Sequence, residues 1–212
     1  MNVETLYEDE NFLIVNKPAG LIVHATLDKK RENLFDILKS KYPELFLLHR
    51  LDKDTSGAIL FTKNESVNKF VEEGFRTHSI QKVYQTIVSG EWNYQGELSS
   101  FLKKVKNTRG IEVMEIVTKG GVKALSLVKT MKSNKHYSLM EFELKTGRMH
   151  QIRIQCKGNG HPIVGDPIYD GEKSSRLFLH SAKLSFIYQG KEISVQAPLD
   201  NLFTEFLKIH NL

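Results

Sequence analysis

Cysteine is almost missing from this 212-residue chain: Cys156 stands alone, so no internal disulfide is available and nothing asks for an oxidising compartment. No apolar run approaches the ~20 residues a membrane-spanning helix needs. The opening Met1-Asn2-Val3-Glu4-Thr5 lacks the basic start and apolar core of a signal peptide. A cytoplasmic protein with no membrane partner is expected. Paired cysteines and His-Glu-x-x-His spacing are also missing, so no metal site is expected. There is no Gly-x-x-x-x-Gly-Lys-Ser/Thr loop, and Gly158-Asn159-Gly160 is too little for a dinucleotide loop. Without a low-complexity tract, internal repeat or long Pro/Gly/Ser linker, residues 1–212 are expected to form a single domain.

What is present is ordinary for a globular protein, with 40% hydrophobic and 26% charged residues. Thirty Lys and Arg against twenty-five Asp and Glu leave +5, and the sequence pI is near 9.1. That modest excess suits a polyanionic partner such as nucleic acid without demanding one. Phe12-Leu13-Ile14-Val15 reads as a buried strand broken by Lys17-Pro18-Ala19-Gly20, with Leu21-Ile22-Val23 resuming after the turn. Leu34, Ile37, Leu38 and Tyr42 recur at helical spacing and Pro43 stops that helix. Residues 45–48 and 58–61 are two further apolar runs of strand type. Val67, Phe70, Val71 and Phe75 give a second helix behind Asn64 or Ser66 as cap.

Strands dominate afterwards. They are expected around Tyr84, Thr86 and Val88, then over 111–117, 124–131, 137–144, 177–179, 183–188 and 192–195. Leu202, Phe203, Phe206 and Leu207 supply a terminal helix, and Met149, Ile152 and Cys156 favour a helix that the following glycines stop. Hairpin-length connections with few helices indicate α+β, with a largely antiparallel or mixed sheet.

Three stretches concentrate polar residues where a core pattern would not place them. His49-Arg50-Leu51-Asp52-Lys53-Asp54-Thr55-Ser56-Gly57 is a charged loop between apolar runs, either a site on a rigid scaffold or a solvated turn. Thr146-Gly147-Arg148-Met149-His150-Gln151-Ile152-Arg153 either lines a polar pocket or faces solvent, since its charges are costly to bury alone. Gly160-His161-Pro162 through Tyr169-Asp170-Gly171 is dense in residues that fix unusual turns and reads as structural. Ser56 has no evident base-and-orienter setting, and Asp54-Thr55-Ser56-Gly57 has no second copy to complete an aspartic-protease pair.

Together these stretches resemble the RluA family of pseudouridine synthases over nearly the whole chain. His49-Arg50-Leu51-Asp52 is similar to the family's catalytic motif, and Lys82-Val83-Tyr84 to its Lys-x-Tyr strand. Residues 146–153 are similar to Thr-Gly-Arg-x-His-Gln-Ile-Arg, with Met149 where Ser or Thr is usual. Leu179-His180-Ser181 and Asn16-Lys17-Pro18-Ala19-Gly20-Leu21 resemble its later and opening segments, Ser181 standing where Ala is common; Gln155 stands where His is often found. The resemblance implies the pseudouridine synthase fold: a mixed, mainly antiparallel sheet with flanking helices and a central catalytic cleft, here without the S4-type RNA-binding domain many members carry. It implies isomerisation of uridine to pseudouridine in ribosomal or transfer RNA, with no cofactor because no atoms are gained or lost. Structured RNA is then the partner and no protein partner is required.

The resemblance also implies roles. Asp52 would be the catalytic carboxylate, Arg153 would pair with it, and Tyr84 would stack on the uracil. Leu179 would form an apolar wall, and Arg50 would fill the space left by a flipped base. His49 and Arg148, from the same motifs, count among the substrate-binding residues. Lys29-Lys30-Arg31, Lys103, Lys104, Lys106 and Arg109 are candidate contacts to the RNA backbone. Two other readings stay open at this point: a non-enzymatic RNA-binding protein, and a hydrolase using Asp52 and Asp54.

Overall fold

A computed structural model describes residues 3–25, 31–108 and 110–212, so the candidates Lys29, Lys30 and Arg109 lie outside the described residues. In chain order its elements are β1 (Glu4–Glu8), β2 (Phe12–Lys17), α1 (Leu34–Lys39), β3 (Ser56–Thr62), α2 (Asn68–Thr77), β4 (Gln81–Ser89), β5 (Gln95–Lys106) and β6 (Glu112–Ile116). They continue with β7 (Val122–Ser133), β8 (Tyr137–Leu144), α3 (Gln151–Gly158), β9 (Leu179–Tyr188), β10 (Lys191–Gln196) and α4 (Asn201–Ile209). The chain divides into two compact units, Met1–Lys82 with His180–Leu199, and Val83–Leu179 with Asp200–Leu212.

In the first unit the strands run β1-β2-β3-β9-β10. All pairings are antiparallel except β3 with β9, which is parallel at Ser56–His180 and Gly57–Ser181. The apolar run of β2 is fully buried on both faces, as an uninterrupted run requires. Phe12 and Ile14 join Ala58, Leu60, Val71, Leu184 and Phe186 in one core, while Phe61 of β3 meets Phe35 of α1, ring centroids 6.4 Å apart. Burial of each such side chain contributes about 1.5–3 kcal/mol. Asn64 accepts from Ser66 N–H and so caps a single 3-10 turn, Glu65–Val67, that leads into α2; α2 itself starts behind Val67 without a side-chain cap.

Expected strands over 21–23 and 45–48 do not form, and 177–179 is strand only at Leu179, the first residue of β9. Residues 21–23 contribute only a bridge from Ile22 to Asn33, and 45–48 only a bridge from Phe46 to Thr62. The second case has a visible cause. Past the Phe46 bridge, the open edge of β3 is satisfied by a side chain: Leu60 N–H donates to His49 Nε2 at 2.9 Å. No backbone partner is needed there, and the chain is released into the 49–57 loop.

The strands of the second unit form an antiparallel sheet in the order β4-β8-β7-β5-β6. Strand β5 lies where the sequence pattern predicted no element, because Ser99, Lys103, Lys104 and Lys106 are exposed while only Leu98 and Leu102 are buried. Helix α3 covers that inner face, with Ile154 packed among Leu102, Val113, Met114 and Ala124. Helix α4 docks through Phe203 and Phe206 on Phe178.

Gly57 is where close approach is absolute. Its φ is +108°, and a Cβ there would lie 2.2 Å from the Ser181 carbonyl oxygen. Gly57→Ala should therefore cost roughly 3 kcal/mol, whereas Gly20→Ala, at φ +85° with open space around it, should cost about 1 kcal/mol. Urea midpoints of the two variants check this; equal losses would mean the β3–β9 contact is not tight.

Candidate active site

The 49–57 loop is held from three sides within the first unit. Thr55 N–H closes a turn on the Asp52 carbonyl at 3.2 Å. Lys17, fully buried, donates its ammonium to the carbonyls of Pro18, Leu21 and Lys53 at 2.9, 2.7 and 2.8 Å, tying the opening segment to the loop. Gly20 N–H adds a further bond to the Lys53 carbonyl. Asp52 is half-buried and Arg50 exposed, while the neighbouring Lys53 and Asp54 form an exposed ion pair worth little.

His49, placed by the sequence among substrate-binding residues, has a local task. Its ring packs on Phe75 at 4.5 Å and accepts from Leu60 N–H. Burial, and then the Lys82 ammonium, push its pKa down to about 3. A neutral ring is what the geometry requires, since a protonated Nε2 would confront the Leu60 N–H.

Sequence reasoning found no base for Ser56, but the fold supplies a histidine. His180 Nδ1 lies 2.8 Å from Ser56 Oγ, and His180 Nε2 lies 3.1 Å from the Ala197 carbonyl. The carbonyl can only accept, so Nε2 carries the proton and Nδ1 accepts from the serine hydroxyl. Both side chains are buried, so the pair locks the β3–β9 junction and does not serve as an exposed nucleophile.

In the second unit, Tyr84 is buried on β4 opposite Phe142 of β8. The 146–153 stretch does form a helix start, with His150 in the left-handed region at φ 52° ahead of α3. Gln151 organises it: Oε1 accepts from Thr146 Oγ at 2.7 Å and Arg148 N–H at 3.1 Å, while Nε2 donates to the Leu125 carbonyl. Gln155 fastens the next turn to Ser126, Leu98 and Ser100. Arg148 is exposed and anchored by its Nε to the Lys123 carbonyl. Leu179 is buried; its carbonyl accepts from Arg176, whose pKa burial lowers to about 10 and which pairs with Asp200. Cys156 lies buried in α3 with its thiol pKa pushed well up by burial, so it offers no thiolate.

Arg153 is buried, and two of its nitrogens bind Asp166 of the glycine-rich turn. Burial pushes the Asp166 carboxyl up, but Arg153 and the amides of Ile168 and Tyr169 outweigh that and leave it below the ordinary carboxylate range. The turn is forced by its glycines: a Cβ on Gly165 would lie 1.7 Å from the Arg176 carbonyl oxygen. Asp166, Lys17 and His180 were missed as functional supports. Each had a readable signal: Lys17 and His180 fall in segments that resemble the family's, and Asp166 is a carboxylate inside a rigid turn.

The family model described as RNA pseudouridylate synthase matches residues 11–158. This chain belongs to that family. An RNA pseudouridine synthase of Mycoplasma genitalium, described as uncharacterised, is 32% identical over 100% of this chain and 71% of its own length. The ribosomal large subunit pseudouridine synthase D of Zymomonas mobilis is 32% identical over 93% of this chain and 69% of its own length. In fold, human RNA pseudouridylate synthase domain containing 4 superposes with a TM-score of 0.79 at 24% identity, covering 97% of this chain and 92% of that one. The α+β pseudouridine synthase fold and membership of the RluA group, expected from the motifs, both hold. As a pseudouridine synthase the chain is an isomerase that converts uridine to pseudouridine in RNA.

The neutral His49 ring makes part of the stability pH-dependent. An unfolded histidine titrates near ~6.5, well above the folded value of about 3. The folded state therefore binds fewer protons, and its advantage is full above the unfolded pKa and is lost as pH falls toward 3. The stability difference between parent and His49→Gln should narrow from pH 7 to pH 4 in urea titrations. A constant difference would show that the ring is not held neutral.

Proposed function

We propose that this chain isomerises uridine in structured ribosomal or transfer RNA, with Asp52, Tyr84 and Arg153 carrying the chemistry. The observation behind this reading is that all three fall within the span matched by the family model. Relatives named for the large ribosomal subunit favour ribosomal RNA as the substrate. The +5 balance suits either polyanion.

The reaction breaks the bond from ribose C1′ to N1, turns the uracil and rejoins it through C5; a proton leaves C5 and one is taken up at N1. Product and substrate are isomers, so neither a redox partner nor an energy-rich phosphate enters. An ionised carboxylate starts the exchange by attack or by proton abstraction, and that is the role of Asp52. Arg153 favours the ionised form of Asp52. Tyr84 stacks on the uracil and later lies near the C5 proton, and Leu179 forms an apolar wall. Arg50, exposed on the loop, fills the space that the flipped uridine leaves; Arg148 contacts the RNA, and His49 acts through the loop it supports.

Asp52→Asn should lower single-turnover isomerisation by roughly a thousandfold while RNA affinity stays the same or rises, because a charge that repels phosphate is removed. Turnover within tenfold of the parent on uridine-labelled RNA would remove Asp52 from the mechanism. Release of free uracil by the parent would make the chain a hydrolase.

Arg50→Ala should slow the reaction on a folded stem-loop much more than on a short unstructured strand, whose base is already free of its stack. Equal losses on the two RNAs, measured as single-turnover rates at saturating enzyme, would make Arg50 a phosphate contact.

A further inference from the structure

The 160–171 turn carries one buried carboxylate, and the reaction as described gives it no part. Asp166 Oδ2 accepts from Arg153 Nε and Asp166 Oδ1 from Arg153 Nη2, both at 2.7 Å. Two parallel bonds fix the plane of a guanidinium as well as its place. The side chains are 4% and 0% exposed, so no water competes for these donors. Asp166 is itself immobile: Oδ1 also accepts from Ile168 and Tyr169 N–H, and its backbone is bonded to Ile163 and Gly171. The Tyr169 ring lies 5.3 Å from the guanidinium carbon. Its hydroxyl accepts from Met114 N–H at 2.8 Å and lies 2.9 Å from His150 Nδ1, so β6 and the start of α3 hold the ring in turn.

A buried ion pair is seldom more stabilising than apolar residues of the same shape, so stability does not explain why charge stands here. We propose that Asp166 is a positioning residue for isomerisation: it cancels much of the Arg153 charge and fixes the direction in which the rest of the guanidinium is presented. Arg153 then works as an aimed hydrogen-bond donor and not as a free cation. This inference rests on the reading that Arg153 takes part in the reaction.

The two views of Arg153 give opposite results when Asp166 is neutralised. Asp166→Asn keeps an oxygen for the Ile168 and Tyr169 amides but sets an NH2 group against Arg153 Nε–H. A free cation would be strengthened by losing its counter-charge, and the rate would hold or rise. An aimed donor would be misdirected, and single-turnover rate at saturating enzyme should fall roughly thirtyfold, with RNA affinity unchanged or tighter. In the Arg153→Ala background the same substitution should cost no further rate and should restore some melting temperature, since it removes an uncompensated buried charge.

A rate within threefold of the parent for Asp166→Asn, with Arg153→Ala slow, overturns the positioning role alone. Full activity of Arg153→Ala overturns both that role and the reading it rests on. An equal rate loss in both backgrounds also overturns it, because Asp166 would then act elsewhere. A measurement on the parent guards against a variant that fails to fold. The Arg153 Nε–H, assigned in 15N–1H spectra by its loss in Arg153→Lys, should exchange slowly with water in the free enzyme. Rapid exchange would show that the fork is not held, and the proposal would fall.

Discussion

The fork between Arg153 and Asp166 is the constraint on which most of the second unit depends. Two opposite charges placed out of water must find each other with good geometry, or the cost of desolvation is not offset. That requirement fixes how α3 and the 160–171 turn meet. It explains the turn's glycines, because Gly165 lies where a side chain would strike the Arg176 carbonyl. It explains Gln151 and Gln155, whose amides clamp α3 onto β5 and β7 so that the arginine arrives at the same place each time. Tyr169 completes the arrangement by giving the guanidinium an aromatic face and tying it to β6.

The first unit solves a different problem, holding an irregular charged loop still without regular pairing. Each support is a side chain standing in for backbone. Lys17 gathers three carbonyls, His49 satisfies an amide on the open edge of β3, and His180 bridges Ser56 to Ala197. Lys17 and His180 are buried, so their bonds are costly to lose. Asp52 is held at the backbone by the same turn that Thr55 closes. The supports leave the ends of the loop buried at Leu51, Thr55 and Ser56, while Arg50 faces solvent.

Much of the fold was legible because burial alternates at the period of each element. The strands over 124–131 and 137–144 and the terminal helix announced themselves, and the choice of helix for 149–156 was right because the glycines after Cys156 mark its end. Strand β5 was not legible, since one of its faces meets solvent and carries Ser and Lys. Residues 45–48 misled in the opposite sense: an apolar run is partly buried there yet makes a single bridge, because a histidine takes the place of a strand partner.

By itself the sequence determined the chemistry-bearing residue types and their order, and hence the family, because motifs such as His-Arg-Leu-Asp and Gln-Ile-Arg are contiguous along the chain. The alternation of apolar and polar residues determined the α+β class for the same reason: it is a local property. Only the tertiary structure decided which residues support them. Asp166 lies thirteen positions from Arg153 and His180 lies 124 from Ser56. A hydrogen bond over such a separation is chosen by where the packed elements bring the donors and acceptors, and no spacing along the chain encodes that.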